Sequence, residues 1–360
     1  MRRRRTAADA HQLAVTGAAD GLGALLLTRL AGRSDLPGDA GSVVAIDSEP
    51  SRTARPGVEW RRADVRDPLL SERLHGVGTV VHLATTYDVR RPPPERRALN
   101  VRGTDALLAA ATQAGVRRVV LTTSADVYDA VPGGPVPLPE DAPLREDADH
   151  GLLGDHVEVE RLAARAGRDG LEVTVLRPAT LVGGRLGAAY DAALLRQLSS
   201  PRLLAVRGVE PLWQLCHVDD LISALELAAL GQVMGGVPVA CEGWLPQSEV
   251  ERVAGRRRLD LPAGVAIGTA ERLHRAGVTT ASPRELDHLL APLVVASRQL
   301  RTAGWDAQWS NEAALASYLA EPRSGAVEPR AGAYTAAGAT VALLGTAALV
   351  RQARRKRRGR

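Results

Sequence analysis

The stretch HQLAVTGAADGLGALLLTRLAG, residues 11–32, decides the fold. In it an apolar run precedes three glycines, Gly17, Gly21 and Gly23, and a leucine-rich run with helical spacing follows them. This order predicts a strand, a tight turn and the start of a helix. Such a turn lets the backbone approach a pyrophosphate, while the helix N-terminus directs its N–H groups at the negative charge. The stretch therefore predicts a dinucleotide-binding turn; a glycine-rich turn that binds nothing is the alternative.

A second strand, VVAID at residues 43–47, ends in an acid. Asp47 lies 24 residues after Gly23, the distance at which a carboxylate can accept hydrogen bonds from an adenosine ribose. A 2′-phosphate on that ribose would meet the carboxylate charge. The acid therefore favours NAD over NADP as the cofactor.

The positive charge of the chain is concentrated at its two ends. Arg2 to Arg5 and residues 351–360 together carry 11 positive charges, against a formal net charge of +5 for all 360 residues. The body between them is thus net negative, and no nucleic-acid face is indicated. Two cysteines, Cys216 and Cys241, form no disulfide framework or metal cluster and are typical of a reducing compartment. No apolar run follows the N-terminal arginines, so we expect a cytoplasmic protein; the arginine-rich, nearly lysine-free composition suggests a bacterial source.

Apolar strands alternate with helical segments through the first half, which predicts an α/β fold with a doubly wound parallel sheet of the Rossmann type. Strands are predicted near 12–16, 42–47, 58–64, 79–84, 118–123 and 172–177. Helices are predicted near 22–32, 95–114, 151–167, 188–198 and 217–230, with a Pro-rich loop at 131–149 and short helices within 235–320.

This pattern divides the chain into a nucleotide-binding domain and a smaller C-terminal substrate-binding region, partly interleaved with it. The predicted parts are a basic arm at 1–10, the Rossmann domain at 11–180, the substrate-binding region at 181–320, a linker at 321–330, an uncharged apolar segment at 331–350 and a basic tail at 351–360.

Five later motifs occur in the order typical of one superfamily. They are VVHLAT (80–85), NVRGT (100–104), RRVVLTTSADVY (117–128), LRPATLVGG (176–184) and HVDDL (217–221). With the glycine turn, they make residues 11–320 resemble the extended short-chain dehydrogenase/reductases, in the NAD-dependent epimerase/dehydratase family. The turn spacing, Gly-x-x-x-Gly-x-Gly, is the one usual in the single-domain branch, but its first and last glycines agree with both branches.

The resemblance implies a role for individual residues. Gly17, Gly21 and Gly23 would contact the pyrophosphate, and Asp47 would hold the adenosine ribose. Asp64 and Val65 would flank the adenine, and Ala84 would pack near the nicotinamide half. Ser124 aligns with the family's catalytic serine. The family's usual substrates are nucleotide-sugars or related carbonyl and hydroxyl compounds.

The family's proton relay is missing from this sequence. A tyrosine has a pKa of about 10, and in the family a lysine four residues later lowers it and holds the nicotinamide ribose. Aligned through Glu160, the corresponding helix has Leu152 at the tyrosine and His156 at the lysine. No register restores the pair, because the only lysine is Lys356.

Three interpretations stay open. The protein can be a dinucleotide-binding sensor, regulator or scaffold without the usual redox step. It can be an enzyme with another acid or base, for which Asp155, His156, Tyr128 and Tyr190 are candidates, with Ser124 polarising a carbonyl. Finally, the fold can serve a membrane-linked assembly. A solvated helix position is the ordinary role for His156, and Tyr128 is usually structural in the family.

His217, Asp219 and Asp220 resemble a metal site only superficially. One histidine and two adjacent acids without further ligands are typical of a helix start, and we predict a cap by Asp219 or Asp220 and no metal.

Residues 331–350 contain no charge and are long enough to span a hydrocarbon core, but Ala, Gly and Thr dominate them. With the basic tail, residues 331–360 can instead lie on an anionic membrane surface, or form a free tail. The resemblance also implies a homodimer through the helices near 95–114 and 151–167.

Overall fold

The computed structural model describes residues 12–33, 36, 42–50, 55–89, 91–146, 151–184, 186, 193–199, 202–275 and 289–321. The predicted linker, apolar segment, basic arm and basic tail lie outside the described residues, except for Glu321 at the start of the linker. Within the described ranges, no helix combines the length and apolar character that a membrane span requires.

The strands in chain order are β1 (Gln12–Thr16), β2 (Val43–Asp47), β3 (Val58–Arg62), β4 (Val77–His82), β5 (Arg118–Thr122), β6 (Glu172–Pro178), β7 (Thr180–Val182), β8 (Arg202–Val206), β9 (Leu212–Trp213), β10 (Leu215–His217), β11 (Gly235–Val239), β12 (Leu245–Pro246) and β13 (Arg257–Leu261). The helices are α1 (Gly21–Leu30), α2 (Leu70–Arg73), α3 (Pro93–Arg97), α4 (Gly103–Ala114), α5 (Leu152–Arg168), α6 (Ala193–Arg196), α7 (Val218–Ala229), α8 (Gln247–Ala254), α9 (Ala263–Arg275), α10 (Arg298–Thr302) and α11 (Asn311–Ala320).

Seven parallel strands form the central sheet in the order β11-β6-β5-β4-β1-β2-β3. The predicted α/β class with a doubly wound parallel sheet is therefore confirmed. The order reverses between β1 and β4, and in such sheets a dinucleotide binds across the carboxyl ends of the strands at this point. All seven carboxyl ends lie at one edge, so the loops after β1, β2, β4 and β5 are brought together there.

Both faces of the sheet are covered, which explains the nearly continuous apolar strands. On one face α1 and α7 pack against Leu13, Val15 and Val81, and on the other α4 and α5 pack against Ala14, Val80 and Val119. A separate apolar cluster around Trp213 joins β9, β10, α8 and α11. This second cluster supports the part of the chain that lies beyond the sheet.

Three expectations for the helices and strands are corrected. The segment predicted as one helix at 95–114 is α3 and α4 joined by a π-helical turn, Ala98–Arg102. The region 235–320 holds strands as well as short helices. One of these strands, β11, pairs with β6 in the central sheet. Strand β4 begins and ends two residues before the prediction. Residues 187–192, in the helix predicted at 188–198, lie outside the described residues.

Candidate functional site

The glycine turn after β1 places backbone against backbone. Gly17 has φ of +66°, and a Cβ there would lie 2.5 Å from the carbonyl carbon and oxygen of Leu83. A Cβ on Gly23 would lie 1.9 Å from the Gly17 oxygen. Both positions therefore require glycine, the first for the turn and its approach to the β4 loop, the second for the packing of α1 on the turn.

Helix α1 begins in this turn and points its N-terminus at the sheet edge. The N-cap residue, Asp20, makes no side-chain capping hydrogen bond, and no acidic side chain lies in the first turn. The amide groups at the start of a helix carry partial positive charge and suit an anion. The turn and the helix start together form a cradle whose partly positive amides suit an anion.

Asp47 ends β2 beside this turn. Its Oδ2 accepts a hydrogen bond from the Ala19 amide at 3.0 Å, and its Oδ1 accepts one from the Glu49 amide at 3.0 Å. The carboxylate therefore holds the glycine turn in place. A carboxylate has further acceptor sites on both oxygens, so it can still accept hydroxyl hydrogens from a ribose.

Asp64 and Val65 follow β3 at the same edge. The Asp64 carboxylate accepts hydrogen bonds from Arg66, at 2.9 Å from Nε and 2.6 Å from Nη2, and this partner lowers the pKa of Asp64. Val65 is buried and lies against Gly103 at the start of α4. The Asp64–Arg66 pair was not predicted from the sequence.

A buried chain of hydrogen bonds lies behind the turn. Thr104 donates to the Asn100 carbonyl at 2.5 Å, so its oxygen accepts from His82 Nε2 at 3.2 Å. The other ring nitrogen of His82, Nδ1, then accepts from the Thr16 hydroxyl at 2.7 Å. Burial lowers the pKa of His82 to about 4, so the ring is neutral and this tautomer is kept.

The Thr16 hydroxyl oxygen completes the chain by accepting hydrogen bonds from two backbone amides of the loop after β4. The Leu83 amide lies at 3.2 Å and the Ala84 amide at 3.4 Å. Ala84, predicted near the nicotinamide half, is thus fixed over the carboxyl end of β4, next to Gly17. This chain adds to the backbone hydrogen bond from the Leu83 amide to the Thr16 carbonyl, at 3.2 Å, in joining the two segments.

Ser124 follows β5 and begins a short 3₁₀ helix, Ala125–Val127. Its Oγ accepts a hydrogen bond from the Asp126 amide at 3.2 Å. The side chain is partly exposed at the sheet edge, on the same side as the glycine turn. The structure therefore brings the predicted catalytic serine to the carboxyl end of β5, where a hydroxyl donor can face a bound substrate.

A buried ion pair supports the serine turn from below. Glu160 of α5 accepts two hydrogen bonds from Arg177 of β6, each at 2.9 Å, and one from Thr123 at 2.8 Å. Arg177 also donates to the Tyr128 hydroxyl at 2.9 Å, and Tyr128 donates to the Glu140 carbonyl at 2.9 Å. Tyr128 is fully buried and held in this network.

Helix α5 holds Leu152 and His156, the two residues that the sequence aligns with the family's tyrosine and lysine. Leu152 at its start is partly buried, and His156 one turn later is buried, against the expectation of a solvated position. Burial and the positive charge of Arg96 lower the pKa of His156 to about 4, so the ring is neutral at pH 7. Its neighbour Asp155 is buried and paired with Arg96 at 2.8 Å. Burial raises the pKa of Asp155 despite this partner.

Sequence reasoning did not single out Tyr87. Its hydroxyl donates to the Thr123 carbonyl at 3.0 Å, and its ring centroid lies 5.3 Å from that of His156. The signal that could have found it is a tyrosine in a loop after a fully buried strand, five residues beyond His82. Tyr190, the remaining tyrosine candidate for acid or base, lies outside the described residues.

The HVDDL motif starts helix α7, but its cap was predicted at the wrong residue. His217 is the N-cap, and its Nδ1 accepts from the Asp219 amide at 3.3 Å, while its ring stacks on Trp309 with centroids 3.6 Å apart. Asp220 accepts from the amides of Gln308 and Trp309 at 2.9 and 3.2 Å. The Asp220 carboxylate, which was predicted as a possible cap, is therefore bonded to these two backbone amides instead.

The chain is similar to a known protein family and to individual proteins from bacteria. The model of the NAD dependent epimerase/dehydratase family matches residues 13–236. An uncharacterized protein of Mycobacterium tuberculosis is 32% identical over 315 residues, which cover 85% of this chain and 82% of that protein. A 3-diazoavenalumate denitrifying reductase of Streptomyces is 35% identical over 182 residues, 46% of this chain and 58% of the reductase.

Solved structures agree on the fold. MoeE5 in complex with UDP-glucose and NAD superposes with a TM-score of 0.61 at 25% identity, covering 86% of this chain and 97% of that one. DesIV, a dTDP-glucose 4,6-dehydratase from Streptomyces venezuelae with NAD bound, gives 0.62 at 21% identity, over 86% and 95%. The family match extends over more than half of the chain and includes the glycine turn, the Ser124 turn and β6. This chain therefore belongs to the NAD-dependent epimerase/dehydratase family of the extended short-chain dehydrogenase/reductases.

Proposed function

We propose that this protein binds NAD across the carboxyl ends of its central sheet and that any chemistry it performs does not use the family's Tyr-x-x-x-Lys relay. The observation that carries the proposal is the cradle at Gly17 and Gly23, where a Cβ would collide with backbone, beside the Asp47 carboxylate. The roles of Gly21, Asp64, Val65 and Ala84 follow from their places at the same edge. The relay is excluded because the only lysine is Lys356 in the basic tail.

The preference for NAD over NADP rests on charge at the end of β2. The Asp47 carboxylate would repel a 2′-phosphate and accept hydrogen bonds from a free 2′-hydroxyl. Arg62 lies opposite Asp47 in the β2–β3 register and donates to the Ser48 carbonyl at 2.9 Å. A guanidinium this close could hold a phosphate if the Asp47 charge were removed.

Calorimetry with NAD and NADP tests both parts. Asp47→Asn keeps an acceptor for the Ala19 amide but loses the charge, so we expect the ratio of NADP to NAD affinity to rise at least about tenfold. Asp47→Ala removes the acceptor too and should weaken both ligands. An unchanged ratio in Asp47→Asn would contradict the NAD preference, and no binding of either ligand at millimolar concentration would end the proposal.

The substrate class proposed is a nucleotide-sugar or a related carbonyl or hydroxyl compound, held by the region 181–320 over the Rossmann domain, residues 11–180. The support is the fold shared with MoeE5, solved with UDP-glucose and NAD, and with DesIV. In the non-catalytic form of the proposal, the bound dinucleotide makes the protein a sensor, regulator or scaffold.

An enzyme with a different acid or base is the second candidate. It is favoured by the partly exposed Ser124 hydroxyl at the sheet edge and by the similarity to a reductase of Streptomyces. Turnover assays with NAD and nucleotide-sugars test it. Activity that Ser124→Ala or His156→Ala abolishes would establish this candidate, whereas no turnover with any of them would favour the sensor.

We also propose that residues 331–360 associate with an anionic membrane surface and that two copies pair through α4 and α5. The first part rests on the uncharged segment followed by seven basic residues. The second rests on the family resemblance, which implies dimers through these two helices; here α4 and α5 lie side by side and are joined by the Arg165–Asp105 pair at 2.8 Å.

A further inference from the structure

The second half of a bound dinucleotide has to lie over β4 and β5. A dinucleotide binds across the point where the strand order reverses, here between β1 and β4. Asp47 and the glycine turn occupy the β1–β2 side of that point. The loops at the carboxyl ends of β4 and β5 therefore receive the nicotinamide half.

Tyr87 connects these two loops. It follows β4, and its hydroxyl donates to the Thr123 carbonyl after β5 at 3.0 Å, one residue before Ser124. Asn100 holds the same loop through both of its amide atoms, accepting from the Thr86 amide at 2.8 Å and donating to the Thr86 carbonyl at 2.9 Å. The tyrosine ring is thereby fixed beside the serine turn.

His156 lies behind that ring. The plane of its ring is tilted 59° to the ring of Tyr87, and the centroid distance of 5.3 Å lies within the range of interacting aromatic pairs. The ring is neutral at pH 7, because its pKa is about 4. Arg96, whose charge contributes to this low pKa, is buried and paired with Asp155 at 2.8 Å. At the position aligned with the family's lysine, the chain thus has the uncharged ring of His156, which packs on Tyr87.

We propose that the Tyr87 ring, supported from behind by His156, forms the contact surface for the nicotinamide end of the bound dinucleotide, in place of the tyrosine and lysine of the family. This inference rests on the proposed binding of NAD. An oxidised nicotinamide ring is cationic and planar, so aromatic faces attract it, and no unpaired lysine charge opposes it. Tyr87 supplies the ring at the loop, and His156 fixes its orientation from α5.

A comparison of NAD with ADP-ribose, which lacks only the nicotinamide, tests the proposal. In the unchanged protein we expect NAD to bind about tenfold more tightly than ADP-ribose. Tyr87→Ala should reduce NAD affinity to that of ADP-ribose and leave ADP-ribose affinity unchanged, since that fragment contacts the glycine turn and Asp47. His156→Ala should reduce the preference in the same direction. Tyr318→Phe, a tyrosine on α11, is the matched control and should keep it.

Each outcome has one meaning. If the unchanged protein binds both ligands equally, or if the preference survives Tyr87→Ala, the contact surface is elsewhere and the inference is wrong. If neither NAD nor ADP-ribose binds the unchanged protein, the proposed function itself fails. Should Tyr87→Ala lose ADP-ribose through misfolding, saturation-transfer NMR decides instead. Irradiation of the protein's aromatic protons should reach the nicotinamide protons in Tyr318→Phe and reach them less in Tyr87→Phe, whose ring loses its anchor at Thr123; equal transfer would overturn the inference.

Discussion

At the scale of single residues, His82 explains how two loops stay in register. Its neutral ring accepts from Thr16 and donates to Thr104, and Thr16 in turn receives the amides of Leu83 and Ala84. A protonated ring could no longer accept a hydrogen bond from Thr16. It would also be a buried charge without a carboxylate partner in this chain of hydrogen bonds. The glycine turn is therefore linked to the protonation state of a residue that does not touch the cradle.

We expect this linkage to make the protein sensitive to acid. The pKa of His82 is about 4 in the folded protein and about 6.5 in the unfolded chain, so the unfolded state takes up the proton first as pH falls. The contribution of His82 to stability should be nearly constant above about pH 7 and fall between pH 6.5 and 4, by up to about 3 kcal/mol. Urea unfolding at pH 7.5, 5.5 and 4.5 measures it.

His156 has a pKa of about 4 for the same reason and should add to the loss. His82→Asn should be less stable at neutral pH and show a smaller fall with acid than the unchanged protein. His75→Asn, at an exposed histidine, is the control and should keep the full dependence. The same pH profile in His82→Asn and in the unchanged protein would contradict the assignment.

At the scale of elements, the ion pair of Glu160 and Arg177 joins α5, β5 and β6 beneath the serine turn. Glu160 is 7% exposed and makes three charge-assisted hydrogen bonds, so neither charge is left to water. Breaking a buried pair is costly because the remaining charge stays buried and unpaired.

Glu160→Gln should lower the free energy of unfolding by about 3–5 kcal/mol, since it leaves the Arg177 guanidinium without its countercharge. The double variant Glu160→Leu with Arg177→Met should recover much of that loss, because no charge is then buried. Glu158→Gln, whose pair with Arg161 is exposed, should change little. Chemical unfolding monitored by circular dichroism measures all three; equal stability of Glu160→Gln and Glu158→Gln would be the contrary result.

Some of the helices and strands could be predicted from the sequence, and others could not. The β1-turn-α1 unit and the positions of the first six strands along the chain follow from apolar runs that alternate with helical spacing. The strands β7, β9, β10 and β12 could not be predicted, because two or three residues give no periodicity and their pairing partners are distant in the chain. His217 was passed over as a cap because acids are commoner there, and only the fold shows Asp220 bonded to Gln308 and Trp309.

The site divides in the same way. Gly17, Gly23, Asp47 and Ser124 were predicted because each stands at a fixed distance from a strand end in its own motif. Tyr87 was not, because its partners Thr123 and His156 come from other elements. A contact between three distant segments has no signature in local spacing.

At the scale of the whole molecule, the charge distribution separates a net negative body from two basic ends. Arginine-rich tails are attracted to anionic lipid, and a marginally apolar segment beside one adds to the attachment. We expect the full chain to sediment with vesicles containing phosphatidylserine and a chain truncated after Arg330 to stay in the supernatant. Attachment should weaken in high salt. Equal partitioning of the two chains would remove the membrane proposal.

The glycine at position 236 has a consequence for how the molecule assembles. A Cβ there would lie 2.4 Å from the Arg177 guanidinium, so β11 closes the sheet by passing its bare backbone over the buried cation. Gly236 lies 59 residues after Arg177 in the chain, and the ion pair is covered only when this distant segment docks. Long-range contacts of this kind slow folding. We infer that the docking of β11 is a late folding event. During synthesis, the Arg177 guanidinium should stay in contact with water until β11 has emerged and docked.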